Sequence, residues 1–305
     1  YVLDEDTLKN ICRDYKEAFK GYPKVNMMYA SKALCSVATS AIIANEGFGF
    51  DVVSAGEIYT VYKAGTDMKK VLFNGNNKSF YELELAIKLG VGRISVDNFF
   101  ELTLLDEIAK SHKKVVDVLL RITPGIECHT HEYIQTGHLD SKFGFDLTQI
   151  DEAVDLIINN YRNLKLHGIH AHIGSQIFET SIYGDEIEIL IKEIARLDEK
   201  FGLKLDEINI GGGLGVKYTE TDCPPSTFTI AEIVIKRLYE CIEKYRIDAP
   251  ALFIEPGRSV ISTAGVTLYT LGSSKQVPKG KMYVAVDGGM ADNARPSMYQ
   301  AEYTA

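Results

Sequence analysis

The chain has 305 residues, of which 46% are hydrophobic and 25% charged, the balance of an ordinary globular protein. Its formal net charge is −9 without a basic cluster, so we expect neither nucleic acid nor an anionic membrane as a partner. The five cysteines lack paired or metal-type spacing, and no apolar run approaches the length of a membrane span. These features predict a reducing, cytoplasmic location.

Strand-like and helix-like runs alternate along the chain. We predict strands near residues 26–31, 49–54, 70–75, 93–98, 115–122, 164–174, 207–212 and 251–256. Between them, runs such as ELELAIKLG and IAEIVIKRLYECIEKY place apolar residues at helical spacing. Parallel strands separated by helices, repeated over about 250 residues, predict an α/β fold, a closed (β/α)₈ TIM barrel.

An open doubly wound sheet is the alternative fold, but it usually carries its glycine-rich turn after the first strand. Here the turn GGGLG follows the seventh strand, which favours the barrel. After residue 256 the helical pattern gives way to strand-like runs such as KMYVAVDGGM. We therefore predict a barrel over residues 1–260 and the beginning of a C-terminal β-domain, incomplete here, over residues 261–305.

Polar side chains recur at or near the carboxyl ends of the predicted strands, where the active site of a barrel forms. They are Lys32, Asp51, Ser54, Asn74, Asp97, Arg121, His172, Ser175, Asn209 and Glu255. Each has an ordinary structural alternative, such as a solvent-facing lysine, a helix cap or an ion-pair partner. Their convergence on one mouth favours a functional site.

Lys32 follows the first predicted strand, in the run MMYASKALCS. Strand alternation places Met28, Ala30 and Lys32 on one face. If that face looks into the barrel, desolvation favours the uncharged amine, which is a nucleophile toward carbonyl groups. The sequence thus predicts a Schiff-base lysine.

Two glycine-containing turns, INIGGGLG and FIEPGRS, follow the seventh and eighth strands, the usual phosphate site of such barrels. We predict that Gly212, Gly213, Gly257 and Arg258 form one phosphate cradle; the alternative is a tight turn without a ligand. Glu255 ends the eighth strand, and a buried carboxylate needs a cation or a donor. A protonated pyridine nitrogen would serve.

His170 and His172, in HGIHAHIGSQ, share a strand face. One interpretation is a metal pair, as in a metal-dependent hydrolase; the other is ring stacking and hydrogen bonding. In metal-dependent barrel hydrolases the two-histidine motif usually lies on the first strand, whereas here it lies on the sixth. The motif HTH at residues 129–131 falls in a predicted loop with charged neighbours. We predict no metal.

An aldehyde-bearing phosphate cofactor needs a lysine, an anion cradle and a partner for its ring nitrogen. Lys32, the glycine turns and Glu255 supply these in turn, which predicts pyridoxal 5'-phosphate. A carboxylate keeps the pyridine nitrogen protonated, so the ring accepts electrons from a carbanion at the substrate Cα. That chemistry suits decarboxylation.

The chain resembles the bacterial diaminopimelate decarboxylase family over essentially its whole length. The motifs that carry the resemblance are YASKA, GFDVVSAGE, NGNNKS, LLRITPGIECHTHEYIQTG, SKFGFD, HAHIGSQIF, INIGGGLG, EPGRS and VAVDGGMADNARPSMY. The family belongs to the fold-type III pyridoxal-phosphate enzymes, which include ornithine and arginine decarboxylases and, more distantly, alanine racemases.

The resemblance implies a role for each predicted site residue. Lys32 would carry the cofactor, His172 would stack against its ring, and Glu255 would pair with its pyridine nitrogen. The other residues assigned to the cofactor are Asp51, Arg121, Ser175, Gly212, Gly213, Gly257 and Arg258. The residues assigned to substrate carboxylates are Arg258, Arg295 and Tyr299.

The reaction that the resemblance implies converts meso-2,6-diaminopimelate into L-lysine and CO₂, the last step of lysine biosynthesis. The family acts as a homodimer with active sites at the interface. Its C-terminal cysteine–glutamate pair and tyrosine have no counterpart in this chain, so we expect the chain alone to be impaired. The alternatives are a decarboxylase of ornithine or arginine and a non-catalytic pyridoxal-phosphate-binding barrel.

Overall fold

The computed structural model of the protein describes residues 1–126 and 142–303. Thirteen strands are found there. They are β1 (Val2–Leu3), β2 (Val25–Ala30), β3 (Gly49–Val52), β4 (Val71–Phe73), β5 (Arg93–Val96), β6 (Val116–Thr123), β7 (Phe145–Asp146), β8 (Leu164–His170), β9 (Glu207–Asn209), β10 (Ala251–Ile254), β11 (Gly265–Val266), β12 (Leu271–Gln276) and β13 (Met282–Val286).

Eight parallel strands close into a barrel, which confirms the predicted fold. The closed order is β2-β3-β4-β5-β6-β8-β9-β10, and β10 pairs with β2. All eight lie within or overlap the predicted strand segments. The short β7 pairs with the end of β6 outside this ring.

Ten helices accompany the strands in the described residues. They are α1 (Glu5–Phe19), α2 (Val37–Asn45), α3 (Ala55–Lys63), α4 (Phe80–Leu89), α5 (Phe99–Ser111), α6 (Ile150–Asn159), α7 (Ser181–Phe201), α8 (Thr227–Tyr245), α9 (Arg258–Ile261) and α10 (Arg295–Tyr299). None of them combines the length and the apolar character that a membrane crossing requires.

Helices α2 to α5 each begin at a polar residue that caps the first turn. Ser36, Ser54, Ser79 and Asn98 each accept a hydrogen bond from a backbone N–H three residues on. Of the two roles considered for Ser54, the structure therefore shows the ordinary one, a helix cap. These caps fix where each helix starts and so hold the preceding loops at the mouth of the barrel.

Two apolar layers support the site. The large core lies between the barrel strands and the surrounding helices and includes the buried rings of Tyr29, Phe50 and Phe73. A small separate cluster of Met28, Leu72 and Leu119 fills the barrel interior. Polar side chains at the carboxyl ends of the strands thus stand on a packed apolar floor.

The opposite end of the barrel is closed by an ion-pair cluster. Arg93, at the start of β5, pairs with Glu207 of β9 at 2.6 Å and with Asp117 of β6 at 3.2 Å. His167 of β8 lies 2.9 Å from Asp117 and 3.1 Å from Asp206. The cluster ties strands from several parts of the chain at the end remote from the mouth.

Residues beyond the last barrel strand form antiparallel β-structure. Strand β11 pairs with β1, and β12 pairs with β13 as a hairpin whose residues are exposed. Helix α10 follows. The division of the chain at residues 260 and 261 stays a prediction.

Candidate active site

A buried hydrogen-bond network at the mouth of the barrel centres on two acids, Asp51 and Glu255. Asn74, which follows β4, donates to Oδ1 of Asp51 at 2.7 Å and to Oε1 of Glu255 at 3.0 Å. Asn209, the last residue of β9, donates to the same Oε1 at 2.7 Å. All four side chains are buried. The network therefore fixes the two carboxyl groups relative to each other across four strands.

Glu255 is held as a carboxylate although it is buried. Burial acts against the charge, but the His170 ring, the Lys32 ammonium and the Asn209 hydrogen bond hold its pKa below the usual range. Both amide hydrogen bonds go to Oε1, so Oε2 keeps its capacity to accept from another donor. His170 Nε2 lies 3.5 Å from Oε2.

Lys32 lies in one turn of 3₁₀ helix, Ser31–Ala33, that follows β2. The predicted alternation of Met28, Ala30 and Lys32 is therefore wrong at its last member, because strand geometry ends at Ala30. The side chain is 53% exposed, so the expectation that desolvation activates it is also wrong here. Its position at the mouth agrees with the prediction, and its Nζ lies 3.9 Å from Oδ2 of Asp51.

The buried carboxyl group of Asp51 has a pKa close to neutral pH. Burial and the neighbouring Glu255 charge raise its pKa to about 7, against the pull of Lys32 and Asn74. Within the described residues, its Oδ2 has no hydrogen-bond partner. Asp51 can therefore hold or release a proton beside the Lys32 amine under physiological conditions.

The two histidines of the HGIHAHIGSQ motif have different surroundings. His170 ends β8, with Nδ1 2.8 Å from Oγ of Ser95. His172 follows in the loop, where Nδ1 accepts from the backbone N–H of Gly212 at 3.2 Å. Burial, Lys32 and Arg121 lower the pKa of His172 well below its ordinary value, so its ring is neutral.

In the described part of the chain, one group of histidine and acid side chains lies close enough together to hold a metal ion, and it is at the opposite end of the barrel. The group is His167, Asp206 and Glu207, and Glu207 is already paired there with Arg93. Neither His170 nor His172 belongs to such a group within these residues. The motif at residues 129–131 lies outside the described residues.

The turns after β9 and β10 pack against each other as backbone. Gly211 and Gly213 adopt φ values of +62° and +101°, which favour glycine. A Cβ on Gly212 would collide with the Glu255 carbonyl, and one on Gly257 would lie 2.9 Å from Cβ of Ala30. Close packing thus explains these glycines.

The same two turns present backbone donors. Among the described residues, the N–H groups of Gly213 and Gly257 find no backbone or side-chain acceptor. Unpaired N–H groups on two adjoining turns are a suitable cradle for an anion.

Two guanidinium groups meet around the ring of Tyr218. Arg258 donates from Nη1 to Oη of Tyr218 at 2.5 Å and from Nη2 to Oγ of Ser175 at 3.1 Å. The Arg295 guanidinium lies 5.6 Å from the centroid of the Tyr218 ring and 5.4 Å from that of Tyr299. Both arginine Nε atoms are buried without a partner in the described residues. The cluster can therefore bind a carboxylate through paired hydrogen bonds.

Arg121, on β6, is buried at the mouth. Its surroundings agree both with a place in the predicted cofactor site and with the alternative of a structural ion-pair partner. Its guanidinium carbon lies 4.3 Å from the centroid of the Phe143 ring, within cation–π distance. Burial raises the pKa of nearby Asp97, while the Arg121 charge lowers it. Arg121 thus places positive charge close to Asp97 and Glu255.

Three contributors to the site were not assigned a role from the sequence. Asn74 and Asn209 were placed at the mouth, but only the fold shows that both donate to Glu255. Tyr218 was missed altogether. The feature of the sequence that could have indicated Tyr218 is its position in GVKY, directly after the glycine turn that follows the seventh barrel strand.

Comparison with known proteins identifies relatives across the chain. Residues 6–262 match the family model described as pyridoxal-dependent decarboxylase, pyridoxal binding domain. Diaminopimelate decarboxylase of Bacillus subtilis (strain 168) is 44% identical over 100% of this chain and 70% of its own length. The enzyme of that name from Synechocystis sp. (strain ATCC 27184 / PCC 6803 / Kazusa) is 47% identical over 99% of this chain and 66% of its own length.

A solved structure with the same fold extends this comparison. Diaminopimelate decarboxylase from M. jannaschii, in complex with L-lysine, superposes with a TM-score of 0.91 at 32% identity. The match covers 99% of this chain and 70% of that one.

Proposed function

Because the chain belongs to the pyridoxal-dependent decarboxylase family, we propose that it decarboxylates meso-2,6-diaminopimelate to L-lysine and CO₂ with pyridoxal 5'-phosphate. The relatives named above carry that activity in their names, and the M. jannaschii enzyme was solved with L-lysine bound. Residues 1–305 span 66–70% of the length of these relatives. The activity is therefore proposed for the whole protein.

The observation that carries the proposal is the buried, ionised Glu255 at the mouth of the barrel. Two amide donors fix its Oε1, while Oε2 can still accept a hydrogen bond. A buried carboxylate of this kind suits a cationic N–H donor. The pyridine nitrogen of the cofactor is such a donor, and Lys32 and the glycine turns stand around the same mouth.

The fit of the cofactor rests on the chemistry of these residues. Lys32 would supply the amine for its aldehyde, and the N–H groups of Gly213 and Gly257 would supply donors for its phosphate. Arg258 begins the helix after the second turn and adds positive charge. When bound, pyridoxal phosphate supplies an electron sink for the pair left at Cα as CO₂ departs.

The remaining site residues bind, orient or carry protons. Asp51 can hold or release a proton at the position next to Lys32, because its pKa of about 7 is close to neutral pH. The neutral His172 ring, held by the Gly212 N–H, can pack against a planar ligand without adding charge. Arg121 balances the buried carboxylates.

Substrate choice is assigned to the arginine–tyrosine cluster. Arg258, Arg295 and Tyr299 would bind a carboxylate of the substrate, and Ser175 orients Arg258. Diaminopimelate carries a second carboxylate at its far end, which a guanidinium group binds well. Ornithine has an amine there and arginine a guanidinium group, so neither would gain this contact.

The proposed assembly is a cytoplasmic homodimer with active sites at the interface. This part of the proposal rests on the family resemblance, and sedimentation of the full-length protein tests it. A dimer with paired active sites is expected, whereas an active monomer would contradict the assignment of the interface.

Parallel assays of the full-length protein test the activity. With added pyridoxal phosphate we expect lysine from meso-diaminopimelate and little product from ornithine or arginine. Lys32→Ala should lose this activity. Lys24→Ala is its matched control and should keep it, because Lys24 donates to the Ala249 carbonyl at the opposite end of the barrel. Faster turnover of ornithine than of diaminopimelate would overturn the proposed substrate.

A further inference from the structure

We propose that His170, oriented by Ser95, is a positioning residue that donates its Nε2–H toward Oε2 of Glu255 and keeps that carboxylate anionic toward the cofactor ring nitrogen. The inference rests on the proposed function, since it concerns the same carboxylate. It adds a role for His170, which the sequence suggested only as a possible metal ligand or a stacking group.

Hydrogen-bond accounting points to this pairing. His170 is 1% exposed, and its Nε2 has no other hydrogen-bond partner among the described residues. That atom lies 3.5 Å from Oε2 of Glu255. A buried N–H donor left unpaired is costly, so the nearby carboxylate oxygen is the acceptor that satisfies it. The contact is long, as catalytic contacts often are before the ligand binds.

The tautomer of His170 follows from its other nitrogen. Nδ1 lies 2.8 Å from Oγ of Ser95. If Nδ1 carried the proton, the lone pair of Nε2 would face the Glu255 carboxylate, which is repulsive. The favourable arrangement has the Ser95 hydroxyl donating to Nδ1 and the proton on Nε2.

Ser95 is itself held in place by a buried ion pair. Lys78 donates to the Ser95 carbonyl at 2.7 Å and to Oε1 of Glu101 at 2.6 Å. Both members of the pair are nearly inaccessible to solvent. A buried ion pair of this geometry leaves little freedom to the strand end that carries Ser95, and thus to the His170 ring.

The charge state of the ring decides what it can do for Glu255. Burial lowers the pKa of His170, and the nearby positive groups Arg121 and Lys32 act in the same direction, while Glu255 acts against them. The ring is therefore neutral near pH 7. A neutral donor stabilises the carboxylate without cancelling its charge, whereas a lysine or arginine in its place would compete with the cofactor for the ion pair.

The test measures the protonation of the cofactor ring directly. The full-length protein is loaded with pyridoxal phosphate labelled with ¹⁵N in the ring, and the ¹⁵N chemical shift is followed with pH. Variants are His170→Phe, which removes the donor, and His170→Gln, whose amide N–H reaches a similar distance. Ser95→Ala frees the ring without removing it.

Matched controls separate a specific effect from general damage. His167→Gln changes a histidine of the same strand at the opposite end of the barrel. Ser40→Ala removes a buried serine hydroxyl that has no hydrogen-bond partner in the described residues. Neither control should move the ¹⁵N signal.

The wild type should show a protonated ring nitrogen near pH 7. In His170→Phe the shared proton should move from the ring nitrogen toward the more basic Glu255 carboxylate, so the ¹⁵N signal near pH 7 should move toward the unprotonated value, with about a tenfold change in the ratio of protonated to unprotonated ring nitrogen. His170→Gln should give a ¹⁵N signal close to that of the wild type. Ser95→Ala should change the signal in the same direction as His170→Phe, but by a smaller amount.

Two outcomes would overturn the inference while leaving the proposed function intact. One is a ¹⁵N titration in His170→Phe and Ser95→Ala that coincides with that of an active wild type. The other is an active wild type whose ring nitrogen is unprotonated. If the wild type takes up no cofactor, the proposed function and the inference both fail.

Discussion

The Lys32 ammonium lies 3.9 Å from Oδ2 of Asp51, a carboxyl group that is 1% exposed. Burial and the Glu255 charge raise the pKa of Asp51 to about 7 from an ordinary value of 3.8. Between pH 3.8 and about pH 7, Asp51 is therefore protonated in the folded protein but ionised in the unfolded chain. By linkage, this group lowers the free energy of unfolding as the pH rises from about 4 to 7.

Asp51→Asn should remove this part of the pH dependence. We expect the wild type to lose more stability than the variant between pH 5 and pH 8 in urea titrations. The slope that remains in the variant has contributions of both signs, because burial raises the pKa of Glu101 and Glu186 and lowers that of His170 and His172. The prediction therefore concerns the difference between wild type and variant. Asp14→Asn, at an exposed position of α1, is the control; equal slopes in wild type and Asp51→Asn would contradict the account.

The contact between the two glycine turns gives a second prediction. Gly212→Ala should destabilise the protein by about 2 kcal/mol, because the added Cβ collides with the Glu255 carbonyl. It should also weaken cofactor binding, since the turn shifts with its N–H groups. Thermal melting and cofactor titration measure the two effects.

Gly56→Ala is the matched control for that substitution. Gly56 lies in α3, where the nearest atom to an added Cβ is Oγ of Ser54 at 3.8 Å. Alanine at this helical position should stabilise the protein by about 0.5 kcal/mol. Wild-type stability in Gly212→Ala would mean that the two turns do not pack as described.

Arg295 offers a prediction about substrate choice. Arg295→Met should lower kcat/KM for diaminopimelate about tenfold or more, because a charged hydrogen bond to its carboxylate is lost. Turnover of ornithine, which has no second carboxylate, should change little. Arg237→Met, in α8, is the control, and an equal loss for both substrates would contradict the assignment.

The barrel could be predicted because each strand is an apolar run between segments whose apolar residues recur at helical spacing. Both patterns are local properties of the sequence. The end of β2 could not be predicted in the same way. Ala30 donates to the Pro256 carbonyl, and the chain turns there into the 3₁₀ helix that carries Lys32. That contact joins residues far apart in the chain, so alternation along the strand could not reveal it.

The partners of Glu255 show a similar limit. A buried acid at a strand end predicts a partner, but not which one. Its two amide donors come from β9 and from the residue after β4, and its histidine neighbour comes from β8. Only closure of the barrel brings these strand ends together. Tyr218 was missed for the same reason, since its contact with Arg258 depends on how two loops meet.

Covalent trapping tests the central claim most directly. The protein is incubated with pyridoxal phosphate, reduced with borohydride and digested, and the modified peptide is identified by mass spectrometry. The account predicts a pyridoxyl group on Lys32, absent from Lys32→Ala and retained in Lys24→Ala. Trapping on another lysine, or none in a protein that still releases CO₂ from diaminopimelate, would contradict it.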